Sequence, residues 1–112
     1  MREVGYALRK STIEIFVMSL LKERDMSAHQ MSDIINEKSN LRYRVAPSLV
    51  SDSIISLRRR GFVVSIHPIT SEYKRNRVLY HIEPAGLEYF QNQCGNLFFV
   101  SDLLKDMLQE SS

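Results

Sequence analysis

The sequence predicts a single α+β domain that is mostly helical. Apolar residues recur with helical spacing through most of the chain, and only two short segments, Phe62–His67 and Arg77–Ile82, have the β-branched composition of strands. With 112 residues, 44% of them hydrophobic, the chain has room for one modest core. Its one cysteine, Cys94, excludes an internal disulfide framework and a cysteine-rich zinc site.

Sequence signals for a membrane span or for export are lacking. No apolar run approaches the roughly 18 residues that cross a bilayer, since Ile13–Leu21 is short and contains Glu14. The first residues, Met1–Gly5, lack the apolar region of a signal peptide. We therefore expect a soluble cytoplasmic protein without a membrane partner.

Two helices are predicted at the start of the chain. Ser11 and Glu14 have the spacing of a capping box, and the apolar residues after them predict an amphipathic helix that runs to about Arg24. Ser27 repeats the capping pattern ahead of a second, shorter amphipathic helix that runs to about Lys38. A mixed polar connection follows this second helix.

A third helix, a hairpin and two more helices are predicted next. Pro47 suits the first position of the third helix because its missing N–H is not needed there, and Gly61 suits the residue that ends this helix. The two β-branched segments then form an antiparallel hairpin. Pro84 opens a fourth helix, the run Cys94–Asn96 is expected to break or kink it, and a last helix covers about Phe99–Glu110.

The order of these elements and the distribution of charge both single out the third helix and the hairpin. Three helices followed by a β-hairpin form a winged helix-turn-helix, in which the third helix enters the DNA major groove and the hairpin is the wing beside it. Residues 41–81 carry eight basic and two acidic side chains, residues 1–40 are balanced, and residues 82–112 carry one basic and five acidic side chains. The basic segment is therefore the third helix plus the wing, which predicts contact with double-stranded DNA. A solvated basic face without a partner is the alternative.

Motifs of the third helix and the hairpin resemble those of one regulator family. The run Ala46–Ser51 stands where that family has Ser-Pro-Gly-Thr-Leu-Tyr, and Ile54–Gly61 resembles its Leu-Lys-Arg-Leu-Glu-Lys-Glu-Gly continuation. Lys74–Ile82 resembles its basic wing, which ends in Tyr-Arg-Ile-Thr, and Glu83–Gly86 resembles the turn after it. Over roughly residues 10–90 the chain resembles the PadR family of bacterial and archaeal transcriptional regulators.

The resemblance implies a homodimer that is released from DNA by a small molecule or a stress signal, and the sequence does not identify this effector. It also implies that the last helix is the dimerisation element. The sequence departs from the family pattern at Ser51, where the family has tyrosine, and at Glu83, where it has threonine.

The candidate DNA contacts lie on the outer face of the third helix, just before it, and on the wing. Small hydroxyls contact phosphates or base edges, an exposed Ile55 contacts thymine methyls, and Asp52 accepts from cytosine N4. One alternative is that Ile55 packs under the wing or on another subunit. Another is that Asp52 is a negative charge near the start of the helix, where the helix dipole stabilises it. A further alternative is that one of Arg58–Arg60 has a purely structural role, because a cation at the end of a helix interacts favourably with its C-terminal carbonyls. The full predicted set is Arg42, Arg44, Ser48, Ser51, Asp52, Ile55, Ser56, Arg59, Lys74, Arg75 and Arg77.

The last helix carries more apolar surface than a short helix needs in so small a domain. Pairing with a second copy covers this surface, and folding back on the chain's own core is the alternative. We therefore divide the chain into a winged-helix part, residues 1–93, and a C-terminal dimerisation helix, residues 94–112, within one domain. The predicted dimerisation residues are Leu97, Val100, Leu103, Leu104, Met107 and Leu108.

These patterns together predict a dimeric transcriptional repressor that acts by occupying its operator. No nucleophile–base pair, phosphate-binding loop or carboxylate pair is recognisable, so we expect no enzyme, no cofactor and no metal, and we interpret His67 and His81 as ordinary strand residues. Two other functions stay open. The fold also serves plasmid or phage proteins that bind centromeres or origins, and it serves as a protein-interaction module in which the wing meets an acidic partner.

Overall fold

A hairpin follows three packed helices and precedes one long helix. The computed structural model describes residues 10–66 and 78–110. Its elements are α1 Lys10–Glu23, α2 Ala28–Lys38, α3 Pro47–Arg59, β1 Val63–Ile66, β2 Leu79–Ile82 and α4 Pro84–Glu110. The strands pair antiparallel with Val63 opposite Ile82, and Met26 adds an isolated antiparallel bridge to Tyr80. The predicted mostly helical α+β fold, with three helices before a hairpin, is confirmed.

The core lies between α1, α2 and α3 and is closed by the hairpin. Each helix places one apolar stripe inward, as its sequence spacing predicts. The most deeply buried apolar side chains are Val17, Met18, Met31, Val50, Ile54, Leu57 and Val63. Because α3 buries one stripe here, its opposite face is left at the surface.

The second helix begins with the predicted capping box. The Ser27 hydroxyl accepts a hydrogen bond from the Gln30 backbone N–H at 3.2 Å, and the Gln30 side-chain oxygen accepts from the Ser27 backbone N–H at 2.9 Å. Two backbone donors at the helix start are thereby satisfied.

We expect Ser27→Ala to lower the free energy of unfolding by about 1 kcal/mol, because it leaves one of these donors without its acceptor. The measurement is urea denaturation followed by circular dichroism. Ser11→Ala is the matched control, because Ser11 lies inside α1 and caps nothing there. Equal losses for the two variants would contradict the assignment of Ser27 as the cap.

The predicted capping box at Ser11 and Glu14 is wrong. α1 already begins at Lys10, so Ser11 is a helical residue of its first turn. The Glu14 carboxylate is buried and forms an ion pair with Arg60 at 2.8 Å. The partly exposed Arg60 guanidinium binds this buried carboxylate, and the sequence spacing gives no sign of a partner 46 positions away.

The predicted break at Cys94–Asn96 is also wrong, because α4 runs without interruption across it. Gly95 is helical here, and a Cβ at this position would meet nothing within 4 Å. A glycine inside a helix costs only about 1 kcal/mol relative to alanine, which good helix formers further along α4, such as Leu103, Leu104 and Lys105, offset. The two predicted helices are therefore one helix of 27 residues, about 40 Å long.

A tight turn joins the third helix to the hairpin. Gly61 has φ of +80°, the left-handed conformation that glycine adopts without strain, so the prediction that it ends α3 is confirmed. The Phe62 N–H donates to the Leu57 carbonyl and the Gly61 N–H to the Arg58 carbonyl, both at 3.0 Å. The chain thus turns directly from the end of α3 into β1.

Candidate nucleic-acid interface

The outer face of α3 is the centre of the candidate interface. At about 100° per residue, four exposed side chains lie opposite the buried stripe of this helix. They are Ser48, Asp52, Ile55 and Arg59. Ile55 is 45% exposed, so an apolar side chain stands among polar ones on the surface. Ser51, at the edge of this face, is half-buried. The helix therefore presents a narrow surface of small, acidic, apolar and cationic groups.

The connection between α2 and α3 presents two further cations, the exposed Arg42 and Arg44. The Asn36 side chain anchors this connection because it bonds both polar groups of the Val45 backbone. The Val45 N–H donates to Asn36 Oδ1 at 2.7 Å, and Asn36 Nδ2 donates to the Val45 carbonyl at 3.3 Å. A charged side chain on an anchored backbone loses less freedom on binding a phosphate.

The same connection contains two residues with left-handed backbone. Asn40 has φ of +54° and Leu41 has φ of +63°, a conformation that is uncommon for leucine. The Ser39 hydroxyl stabilises the turn, since it accepts from the Tyr43 N–H at 3.2 Å. The anchoring roles of Asn36 and Ser39 are not among the features predicted from the sequence. Ser39-Asn40 at the end of an amphipathic helix is the signal that could have located the turn.

The three arginines at the end of α3 have different roles. All three are exposed, but Arg60, with 38% of its side chain exposed, also forms the ion pair with Glu14 on α1. Ser56, a predicted DNA contact, is half-buried and accepts a hydrogen bond from Arg60 Nη2 at 3.1 Å. Arg60 is therefore the structural member of this basic run.

Only the base of the predicted wing belongs to the described residues. The predicted contacts Lys74, Arg75 and Arg77 lie outside them, as does His67. His81, on β2, has its Nδ1 2.8 Å from Asp25 Oδ1 in the connection between α1 and α2. This pair attaches the hairpin to the helical body.

The distal half of α4 carries a large apolar surface. The six predicted dimerisation residues, Leu97, Val100, Leu103, Leu104, Met107 and Leu108, are 46% to 61% exposed, and Phe98 and Phe99 are more exposed still. Within one chain, this part of the helix does not fold back on the core, so that alternative is wrong. On the helical wheel, the stripe continues the face that Gly86, Tyr89 and Phe90 turn toward the body.

The described residues offer few features of other functional classes. None of the described helices is long and apolar enough to cross a membrane. Within residues 10–66 and 78–110, no three or more His, Cys, Asp or Glu side chains are grouped as metal ligands.

Several solved structures with this architecture are transcriptional regulators. A regulator from Clostridium thermocellum is similar with a TM-score of 0.76 and 20% identity, over 87% of this chain and 90% of that one. A PadR-like regulator from Bacillus cereus gives a TM-score of 0.75 at 17% identity, over 89% and 94%. The fold is that of the PadR-like regulators.

A third solved structure has the same fold, whereas comparisons of the sequence itself find no match. A PadR-like transcription factor from Bacteroides fragilis shares the PadR-like fold with a TM-score of 0.74 at 14% identity, over 88% of this chain and 92% of that one. No family model and no curated protein matches the sequence. The predicted resemblance to the PadR-like winged helix is thus confirmed at the level of the fold.

Proposed function

We propose that the protein is a sequence-specific, double-stranded DNA-binding transcriptional regulator, and that it acts as a dimeric repressor by occupying its operator. One observation carries the proposal. α3 buries one stripe in the core and exposes Ser48, Asp52, Ile55 and Arg59 where a winged helix presents its recognition helix. Several similar solved structures are transcriptional regulators, which supports this interpretation.

The exposed groups fit the chemistry of a DNA groove. The major groove is about 12 Å wide and admits one helix. Within it, Asp52 accepts from cytosine N4, Ile55 packs on thymine methyls, and Arg59 binds guanine or a phosphate. Arg42 and Arg44 bind flanking phosphates from their anchored connection. The wing cations predicted from the sequence, Lys74, Arg75 and Arg77, follow the backbone or enter a narrow minor groove.

The apolar stripe of α4 is the proposed dimer interface. Eight large hydrophobic side chains between Leu97 and Leu108 are exposed in the single chain, which favours coverage by a second copy. A dimer presents two copies of α3 to half-sites about one helical turn, roughly 34 Å, apart. Occupation of such a site excludes polymerase, and the protein needs no chemical step.

A salt titration of affinity for a labelled duplex tests the proposal. DNA that flanks the protein's own gene is compared with a mixed-sequence duplex of equal length. Each neutralised phosphate contributes about −0.9 to the slope of log K against log salt, so several contacts give a steep line. We expect a steep slope on both duplexes and tighter binding to the flanking DNA. Absence of binding to either duplex at low salt would refute the proposal and favour a protein-interaction module.

We expect Arg59→Ala to weaken DNA binding about tenfold, because it removes one charge-assisted contact from the centre of the interface. A phosphate contact predicts equal weakening on both duplexes and a slope shallower by about 0.9, whereas a base contact predicts weakening on the preferred duplex alone. Lys105→Ala is the matched control, since Lys105 lies on the distal half of α4. Unchanged binding by Arg59→Ala would contradict the orientation assigned to α3.

A further inference from the structure

A single side chain connects the end of α3 with two other helices. Arg60 Nη2 lies 2.8 Å from Glu14 Oε1 on α1 and 3.1 Å from Ser56 Oγ on α3, and Arg60 Nη1 donates to the Tyr89 hydroxyl on α4 at 3.3 Å. The guanidinium carbon also lies 5.4 Å from the ring centroids of both Phe62 and Tyr89. We call these five residues, Glu14, Ser56, Arg60, Phe62 and Tyr89, the arginine joint.

The α1 side of the joint is held by charge. The Glu14 side chain is only 8% exposed, and a buried carboxylate without a cation is strongly unfavourable. The hydrogen bond to Glu14 raises the pKa of Arg60 above its ordinary value, although burial opposes this change. The pair therefore keeps both charges and fixes the residue directly after α3 against α1.

The α4 side of the joint is held by aromatic stacking and close packing. The rings of Phe62 and Tyr89 stack with centroids 4.5 Å apart. Gln93 Nε2, one turn further along α4, donates to the Tyr89 hydroxyl at 2.8 Å. Gly86 lies so close to the Phe62 carbonyl that no Cβ fits between them. The first turns of α4 thus contact Phe62, in the turn after α3, through both Gly86 and Tyr89.

Because α4 is one continuous helix, the contact of Tyr89 with Arg60 is linked to the position of the distal half of α4. One uninterrupted helix carries both Tyr89 and the exposed apolar stripe from Leu97 onward. A change in the tilt of the distal half therefore moves Tyr89 with it, and the joint lies between Tyr89 and the end of α3.

We infer that the arginine joint sets the angle between α3 and α4, so that the arrangement of the two α4 helices in a dimer determines the spacing of DNA half-sites. Arg60 positions the recognition helix, and Glu14 and Tyr89 are positioning residues that act through Arg60. The consequence for DNA rests on the proposed function, whereas the geometry of the joint does not.

Distances between spin labels on α3 and α4 test the joint without DNA. Nitroxides are attached at Asp52→Cys and Ser101→Cys in a Cys94→Ser background, and the labelled chain is diluted with unlabelled protein so that distances within one chain dominate. Tyr89→Phe keeps the ring and removes the hydroxyl, and Arg60→Lys keeps the charge and removes the planar fork. We expect both to broaden the distance distribution while helix content stays unchanged. Tyr43→Phe, a half-buried tyrosine away from α4, is the matched control and keeps the wild-type distribution.

A second measurement tests the consequence for DNA. Once a preferred site is known, base pairs are inserted between its half-sites, and each rotates one half-site by about 35°. We expect the wild type to lose about tenfold in affinity for one inserted pair and the two variants to lose less than about threefold.

The outcomes separate the inference from the proposed function. Wild-type distance distributions in both variants would overturn the inference, even if the variants melt at lower temperature, because the joint would then contribute to stability alone. An unchanged spacing penalty would overturn its consequence for DNA. Broadened distributions in a protein that binds no duplex would leave the joint in place and refute the proposed function.

Discussion

Leu104→Glu is expected to dissociate the dimer and to weaken operator binding by at least about 100-fold. Leu104 is 53% exposed in the single chain and lies in the middle of the apolar stripe on α4. In the proposed interface the new carboxylate would face apolar side chains of a second copy, where an unpaired charge is strongly unfavourable. A monomer binds one half-site at a time and loses the effective concentration that links the two, which is worth about 10² to 10⁴ in affinity.

Analytical ultracentrifugation and DNA titration on the same samples measure this effect. Lys105→Glu is the matched control, because it introduces the same residue one position further along, about 100° around the helix from Leu104 and outside the six predicted dimerisation residues. We expect the control to remain dimeric and to bind DNA. A dimeric Leu104→Glu protein would show that subunits associate through another surface.

Gly86→Ala is expected to lower the free energy of unfolding by about 3 kcal/mol. An added Cβ would overlap the Phe62 carbonyl oxygen and lie 2.8 Å from Ile82 Cγ1. The overlapping atom belongs to the backbone of the turn between α3 and β1, so it cannot rotate away as the end of a flexible side chain can. The start of α4 must shift instead, and contacts between α4 and the turn are lost.

The chain provides a matched control for this substitution on the same helix. Gly95 also lies in α4, and a Cβ there would meet nothing within 4 Å. We expect Gly95→Ala to stabilise the protein by about 0.5–1 kcal/mol through helix propensity alone. Denaturant unfolding of both variants measures the difference. A stabilising effect of Gly86→Ala would mean that α4 does not pack against Phe62 as described.

Local patterns predicted the elements that depend on nearby residues. The capping box at Ser27, the helix start at Pro47 and the helix end at Gly61 each involve groups within a few positions of one another. The buried stripe of α3 follows from the spacing of Val50, Ile54 and Leu57, and the outer face follows as its complement. This is why the order of elements and the candidate recognition face could be predicted from the sequence.

Predictions from local patterns were wrong where a residue distant in the sequence, or the helix as a whole, determines the local structure. Ser11 and Glu14 have the spacing of a capping box, but Glu14 binds Arg60, which only the packing of α1 against α3 brings near. Gly95 indicates a break when its neighbours alone are considered, yet helix propensity over the whole of α4 outweighs one glycine. The roles of Arg58, Arg59 and Arg60 could not be separated from their sequence, because only their directions on the folded helix differ.

The sequence by itself determined the winged-helix order, the basic middle segment and the apolar last helix, because these depend on composition and on short periodic spacing. Tertiary structure alone decided that Arg60 joins three helices, that Asn36 anchors the connection carrying Arg42 and Arg44, and that Gly86 contacts the Phe62 carbonyl. Apart from the local hydrogen bond between Arg60 and Ser56, each of these contacts joins residues at least nine positions apart. They therefore depend on how the helices pack, which spacing along the chain does not predict.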